Sequence, residues 1–191
     1  MSLKYRLPLI VALVFACVAH GAAQDKGAKS KFKHEGKFQA TYDRAQDRTV
    51  VAFQPYGVNI NYRDPLESVA ITAGFIHPGQ TLTSPPQFIE FGIISQSRSG
   101  WEFEREKDRQ LTLVIDGEVI NVGEMKLITA RRFTIGALYY REDLAYTMPY
   151  EGFVRMASAK KVSVKVGRTE LKLRNEHLEA MRELVSRATA P

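Results

Sequence analysis

Residues 111–122, LTLVIDGEVINV, contain the pattern that decides the fold of this chain. Asp116 and Gly117 are typical of a type I′ turn, in which both central residues take positive φ. A two-residue loop at this point gives three cross-strand pairs: Ile115–Glu118, Leu113–Ile120 and Leu111–Val122. The apolar members of these pairs all lie on one face, and a shift of one residue would destroy that arrangement. The segment therefore predicts an antiparallel hairpin.

A second hairpin is predicted over residues 162–173, VSVKVGRTELKL. Gly167 and Arg168 fit a type II′ turn, in which the first central residue is glycine. This loop pairs Val164 with Leu171 and Val162 with Leu173, and it again leaves one face apolar.

Helices are expected on both sides of the second hairpin. A short helix over residues 149–159 would bury Phe153, Met156 and Ala157. The last helix has Asn175 as its expected N-cap. It places four apolar residues on one stripe: Leu178, Met181, Leu184 and Val185. The C-terminal part of the chain is thus predicted to be helix–hairpin–helix.

Upstream of these elements the dominant pattern has a period of two, which is typical of half-buried strands. The alternating apolar positions are Phe38, Ala40 and Tyr42; Val58, Ile60 and Tyr62; Val69, Ile71, Ala73 and Phe75; and Ile89, Phe91 and Ile93. Glu90 and Gly92 face away from the last group. The prediction is a mainly β (α+β) fold, an antiparallel β-sandwich or open barrel, in a single domain over residues 38–191.

The first 23 residues have the three parts of a secretory signal peptide. Lys4 and Arg6 precede an apolar run over residues 7–18, and small residues occupy positions 21–23 before Gln24. The sequence therefore predicts a secreted or periplasmic protein with no transmembrane segment in the mature chain. Two alternatives stay open: a lipid anchor at Cys17, whose neighbour Phe15 fits a lipobox poorly, and an uncleaved membrane anchor.

Residues 24–37 are polar and rich in lysine, which favours a flexible linker between leader and domain. The alternative is a basic arm that touches anionic lipid or polysaccharide. The formal net charge of the whole chain is +6, and two of these charges, on Lys4 and Arg6, lie in the leader. A surplus of this size does not indicate nucleic-acid binding. Cys17 is the only cysteine, so the mature chain would have no disulfide.

The sequence contains no recognisable catalytic, metal or cofactor motif. Its four histidines are not spaced as metal ligands, and no nucleophile elbow or phosphate-binding loop is present. We therefore predict no catalytic residues, no metal and no cofactor. His77, in the turn 77–79, is the one histidine in a plausible site loop, and a solvated turn residue is the simpler interpretation.

Carboxylates offer one enzymatic alternative, since paired acids can hydrolyse a glycosidic bond. Glu102, Glu104 and Glu106 would share one face of a strand, with Trp101 and Phe103 on the other. The simpler interpretation is a strand with an acidic outer face.

Three loops, at residues 77–86, 95–101 and 139–151, carry the candidate binding residues. These are Arg98, Trp101, Tyr139, Tyr140, Tyr146, Tyr150 and His77. Tyrosine, tryptophan and arginine are the residue types that anchor interfaces, and loops on a rigid scaffold are where function commonly lies. The expected function is an exported, non-enzymatic module that binds a protein or an envelope component. The alternatives are a hydrolase of polysaccharide or peptide and a structural or assembly component of the cell envelope.

Overall fold

The computed structural model describes residues 31–58 and 66–189. Within these ranges the chain forms the following elements in order: β1 (Phe38–Asp43), β2 (Arg48–Val58), β3 (Leu66–Pro78), β4 (Phe88–Ser97), a 3₁₀ helix (Glu106–Arg109), β5 (Gln110–Ile115), β6 (Glu118–Glu124), β7 (Lys126–Ile135), β8 (Ala137–Pro149), α1 (Tyr150–Ser158), β9 (Val162–Val166), β10 (Thr169–Leu173) and α2 (Asn175–Ala188). The predicted leader, the first half of the predicted linker (residues 24–30) and the predicted strand positions Ile60 and Tyr62 lie outside the described residues.

The strands form two antiparallel sheets. The first has six strands in the order β1-β2-β3-β4-β8-β7, and the second has four in the order β10-β9-β5-β6. The prediction of a mainly β fold is confirmed, and the sandwich alternative describes it. No helix in the described ranges is long and apolar enough to cross a membrane.

Both predicted hairpins are present, with one local difference. The second pairs Val164 with Leu171 and Val162 with Leu173, as predicted. In the first, the pairs nearest the turn are as predicted, but a bulge shifts the register so that Leu111 lies opposite Gly123 instead of Val122. Gly123 has a φ of +126°, which glycine adopts without steric cost. Val122 still packs against the core.

The C-terminal helix–hairpin–helix is confirmed, within one residue at both ends of α1 and at the start of α2. Residue 149 caps α1 and residue 159 ends it, and the three residues predicted to be buried are buried: Phe153, Met156 and Ala157. The N-cap of α2 is Arg174, and Asn175 is the first helical residue, so the prediction of Asn175 as cap was wrong. The reason is that His177 Nδ1 accepts the backbone N–H of Arg174 at 3.0 Å, an acceptor supplied from inside the helix.

One hydrophobic core draws on both sheets and both helices. We call the side of the six-stranded sheet that packs on this core the core face, and the opposite side the outer face. Successive side chains of a strand alternate between faces. On β8, Leu144 and Met148 belong to the core, so Asp143, Ala145 and Thr147 lie on the outer face.

The outer face is itself partly buried. Val50 and Ala52 of β2 form a small second cluster with Ile76 of β3. On β4 every residue from Ile89 to Ser95 is buried, on both faces. This part of the sheet is therefore not the half-buried surface that alternation predicts.

Two of the predicted loops contain strand residues: the segment 139–151 is mostly strand, and the segment 95–101 begins with three strand residues. β4 continues to Ser97, and β8 covers residues 137–149, because these two strands pair without interruption from Phe88 to Ser97. Of the segment 95–101, only residues 98–101 lie outside a strand, and they begin the connection from one sheet to the other. Of the segment 139–151, only residues 150 and 151 lie outside β8, at the start of α1.

The predicted acidic strand is also absent. Residues 101–105 form no strand, and Glu106 begins the 3₁₀ helix. Glu102, Glu104 and Glu106 therefore do not share a strand face. The segment crosses between sheets, where no neighbouring strand offers a ladder of hydrogen bonds.

Candidate functional site

A cavity of about 600 Å³ lies where β3 ends and β4 begins. Its walls come from the last residues of β3, the loop that follows, the first residues of β4 and one residue of β8. The lining is largely apolar, with Phe75, Ile76, Pro78, Pro85, Pro86 and Phe88, and its polar members are His77, Ser84, Gln87, Glu90 and Thr147. Pockets with apolar walls and a few polar groups are the usual form of small-ligand sites.

The loop over residues 79–87 is held in place at three points. At its start, the Gly79 N–H donates to the carbonyl oxygen of Asp47 at 2.8 Å. In the middle, Leu82 is buried in the main core. At its end, the Gln87 carbonyl accepts the N–H of Tyr150, the first residue of α1, at 3.0 Å. These contacts give the cavity a fixed wall.

Glu90 is the most unusual group in the cavity. It lies on the outer face of β4, opposite Gly74 of β3 and Thr147 of β8, and it is only 7% exposed. The Thr147 hydroxyl donates to its Oε1. Its Oε2 is buried and accepts no hydrogen bond from any residue that the structure describes. A buried polar atom without a partner costs about 1–3 kcal/mol, and more when the group is charged.

Burial raises the pKa of the Glu90 carboxyl. The hydrogen bond from Thr147 and the positive charge of Lys126 act in the opposite direction but do not cancel this effect. Carboxyl groups with raised pKa values cluster at functional sites, where burial tunes their pKa for binding or proton transfer. Glu90 is thus poised to accept a hydrogen bond, or to donate one in its protonated form.

His77 lies in the cavity lining, but it is not the solvated turn residue that the sequence indicated. It belongs to β3 and is 6% exposed. Its Nδ1 lies 2.9 Å from the carbonyl oxygen of Pro78, so this nitrogen is the donor. The turn that was expected at residues 77–79 begins only after β3 ends.

The other candidate binding residues do not form a single site. Arg98 and Tyr139 meet on the outer face, where the guanidinium donates to the phenol oxygen at 2.8 Å. Arg98 also pairs with Glu67 at 2.8 Å. Trp101 and Tyr140 form a T-shaped pair with ring centroids 4.9 Å apart, and Tyr140 is on the core face of β8. The sheet therefore separates the two pairs.

Tyr146 and Tyr150 lie away from both pairs and have packing contacts. Both are half-buried and pack against the main core. The Tyr146 hydroxyl donates to the carbonyl oxygen of Val122 at 3.2 Å. The Tyr150 hydroxyl is buried and has no partner among the described residues, and burial raises the pKa of this phenol.

Glu142 is a second buried carboxylate, and its surroundings indicate a structural role. It lies on the core face of β8 and is 1% exposed. Its two oxygens accept the backbone N–H groups of Glu102 and Phe103 at 2.8 and 2.9 Å. Burial raises its pKa, against the effect of these two hydrogen bonds. Glu142 thereby holds Glu102 and Phe103, which lie in the segment that connects the two sheets, against β8.

Sequence reasoning did not predict that Glu90 and Glu142 are buried. Glu90 stands at a polar position of an alternating pattern, which predicts exposure. A usable signal was present in residues 88–94, FIEFGII, because a strand with apolar residues at nearly every position is typical of burial on both faces. Glu142 follows Arg141 in a polar stretch and carries no comparable signal.

Within residues 31–58 and 66–189, no group of three or more His, Cys, Asp or Glu side chains is placed to hold a metal ion. The chain matches no protein-family model, no curated protein and no solved structure. The site itself must therefore carry any functional argument.

Proposed function

We propose that this chain is an exported, non-enzymatic binding module whose small ligand occupies the Glu90 cavity. The observation that carries the proposal is the unpartnered Oε2 of a buried carboxylate in the wall of an otherwise largely apolar cavity. Export rests on the predicted leader. The sequence-based prediction that Arg98 and Trp101 bind a partner stays a prediction, and the two residues would do so from opposite sides of the sheet.

The chemistry of the lining defines the class of ligand. Proline and phenylalanine walls favour an apolar body, and a carboxylate favours a donor, above all a cationic one, at one end of it. Hydrogen bonds to charged groups contribute about 1.5–3 kcal/mol. An alkylammonium compound has both features, and an envelope component with an amino head group would share them.

Hydrolysis by paired carboxylates has less support. Glu90 and Glu142 lie on opposite faces of the sheet, so they cannot flank one bond. The other buried carboxylates of the described residues, Asp143 and Glu183, are ion-paired with Arg141 and Arg187. Both oxygens of Glu142 are also occupied by backbone donors.

Calorimetric titration with three probes of equal chain length tests the proposal. Octylamine, octanol and octanoate carry a cationic, a neutral and an anionic head on the same apolar tail. We use the chain from Gln24 onward, which retains every described residue. At pH 7 we expect octylamine to bind about tenfold or more tighter than octanol, since about 1.4 kcal/mol corresponds to a factor of ten. Octanoate should bind most weakly.

Glu90→Gln should abolish the preference for the amine while leaving affinity for octanol. Glu170→Gln is the matched control, because Glu170 is also a strand glutamate but is exposed. Equal affinity for the three probes, or an amine preference that survives Glu90→Gln, would contradict the proposed role of the cavity.

A further inference from the structure

The β7–β8 hairpin ends in an exposed apolar tip. On β8, pairing with β4 stops at Tyr140, while pairing with β7 continues to Ala137. The hairpin therefore extends past the end of β4. Ile135 is 74% exposed and Leu138 is 41% exposed, and they are two of only four exposed large hydrophobic residues in the described part of the chain.

The tip presents apolar side chains on both of its faces. Cross-strand partners share a face, so Ile135, Phe133 and Tyr139 lie on the outer face. The rings of Phe133 and Tyr139 are stacked with centroids 5.6 Å apart. Leu138, two residues before Tyr140, lies on the opposite face. Gly136, with a φ of +68°, makes the turn between the strands.

Positive charge surrounds the base of this tip. Residues 131–141 include three arginines and no acidic residue. Arg131 and Arg132 are exposed, one on each face of the hairpin. Neither forms an ion pair or hydrogen bond with another residue in the described ranges. Arg141 is paired with Asp143 at 2.7 Å.

The spacing of tip and arginines matches the depth of a lipid interface. A strand rises about 3.4 Å per residue, so Arg132 and Arg131 lie about 10 and 14 Å behind Ile135. The apolar faces of interfacial helices enter about 5–10 Å into the boundary between headgroups and acyl chains, and we take the same depth for this tip. With the tip inserted to this depth, both guanidinium groups would lie at the level of the phosphates.

We infer that the β7–β8 tip docks this protein onto the surface of an anionic lipid bilayer. Ile135 and Leu138 enter the interface from the two faces of the hairpin, and Arg131 and Arg132 bind lipid phosphates. The contact is peripheral, and it is separate from the Glu90 cavity, so either proposal can fail without the other.

Co-sedimentation with vesicles tests this inference. The chain from Gln24 onward is used because the apolar leader would itself bind lipid. We expect it to bind vesicles of phosphatidylglycerol and phosphatidylcholine, but not vesicles of phosphatidylcholine alone, and to lose binding as salt screens the charges. Arg131→Gln with Arg132→Gln should weaken binding about 25-fold, since each surface cation contributes about fivefold. Ile135→Ser with Leu138→Ser should weaken it more than tenfold.

Matched controls distinguish lipid binding by the tip from a general effect of surface charge or surface hydrophobicity. Lys160→Gln with Lys161→Gln removes two exposed cations elsewhere, and Val119→Ser removes a valine that is 64% exposed on β6. Both should bind as the parent does, and melting curves should show that all variants fold. The inference is overturned if tip variants bind like the controls or if phosphatidylcholine is bound equally well. It is also overturned if the tip variants abolish only self-association, because the edge strand β7 would then be an interface between two copies.

Discussion

Glu90→Gln should stabilise the folded chain at neutral pH. The substitution keeps the shape of the side chain and an oxygen that can accept the Thr147 hydroxyl. It replaces the buried, unpartnered Oε2 with a neutral amide nitrogen. A neutral amide loses less hydration than a carboxylate on burial, so the variant avoids part of the cost that the parent bears.

The magnitude follows from the burial of Glu90. An unsatisfied buried acceptor costs about 1–3 kcal/mol, and the amide retains some of that cost, so we expect a gain of about 1–2 kcal/mol at pH 7. For a domain of this size the melting temperature should rise by about 2–8 °C. The pH dependence has a definite sign. Because burial raises the pKa of Glu90 above its ordinary 4.5, the parent loses stability as pH rises from about 4.5 through the folded-state pKa.

Urea unfolding followed by circular dichroism between pH 3.5 and pH 8 measures the difference. The two chains should have similar free energies of unfolding at pH 3.5, where the parent carboxyl is protonated in both states. The curves should separate as pH rises. A variant that is less stable at pH 7, or a difference that does not change with pH, would refute the argument that Glu90 is a buried carboxyl group with one unsatisfied oxygen.

Two further substitutions test two other buried polar groups. Glu142→Gln should lower the free energy of unfolding by about 1–3 kcal/mol at pH 7, since an amide offers one acceptor oxygen to two backbone donors. Urea unfolding measures this loss, and an unchanged midpoint would contradict the structural role of Glu142. Tyr150→Phe should raise the free energy of unfolding by about 1 kcal/mol, because it removes a buried hydroxyl that has no partner among residues 31–58 and 66–189. A loss of stability in the same assay would mean that the hydroxyl is satisfied.

The predicted gain on replacing Glu90 bears on function as well as stability. Natural sequences keep a destabilising buried group most readily where activity requires it. We expect Glu90→Gln both to stabilise the fold and to remove the preference for octylamine. The two results together would indicate that the destabilising carboxylate is kept because it recognises the ligand.

Local sequence determined much of the scaffold. Turn chemistry at Asp116-Gly117 and Gly167-Arg168, together with alternation on either side, was enough to set both hairpin registers near their turns. The stripe through Leu178, Met181 and Leu184 was enough to orient α2. In each case the relevant residues lie within a few positions of one another, so short-range geometry determines the outcome.

Only the tertiary structure decided where the candidate site lies and which residues line it. Whether Glu90 faces water or a cavity depends on the 79–87 loop and on Thr147, which is 57 residues away in sequence. The stretch 139–151 resembles a loop in composition, yet its pairing with β4 makes most of it a strand. Alternation specifies which residues share a face, but it cannot specify what covers that face, because the covering groups come from distant parts of the chain.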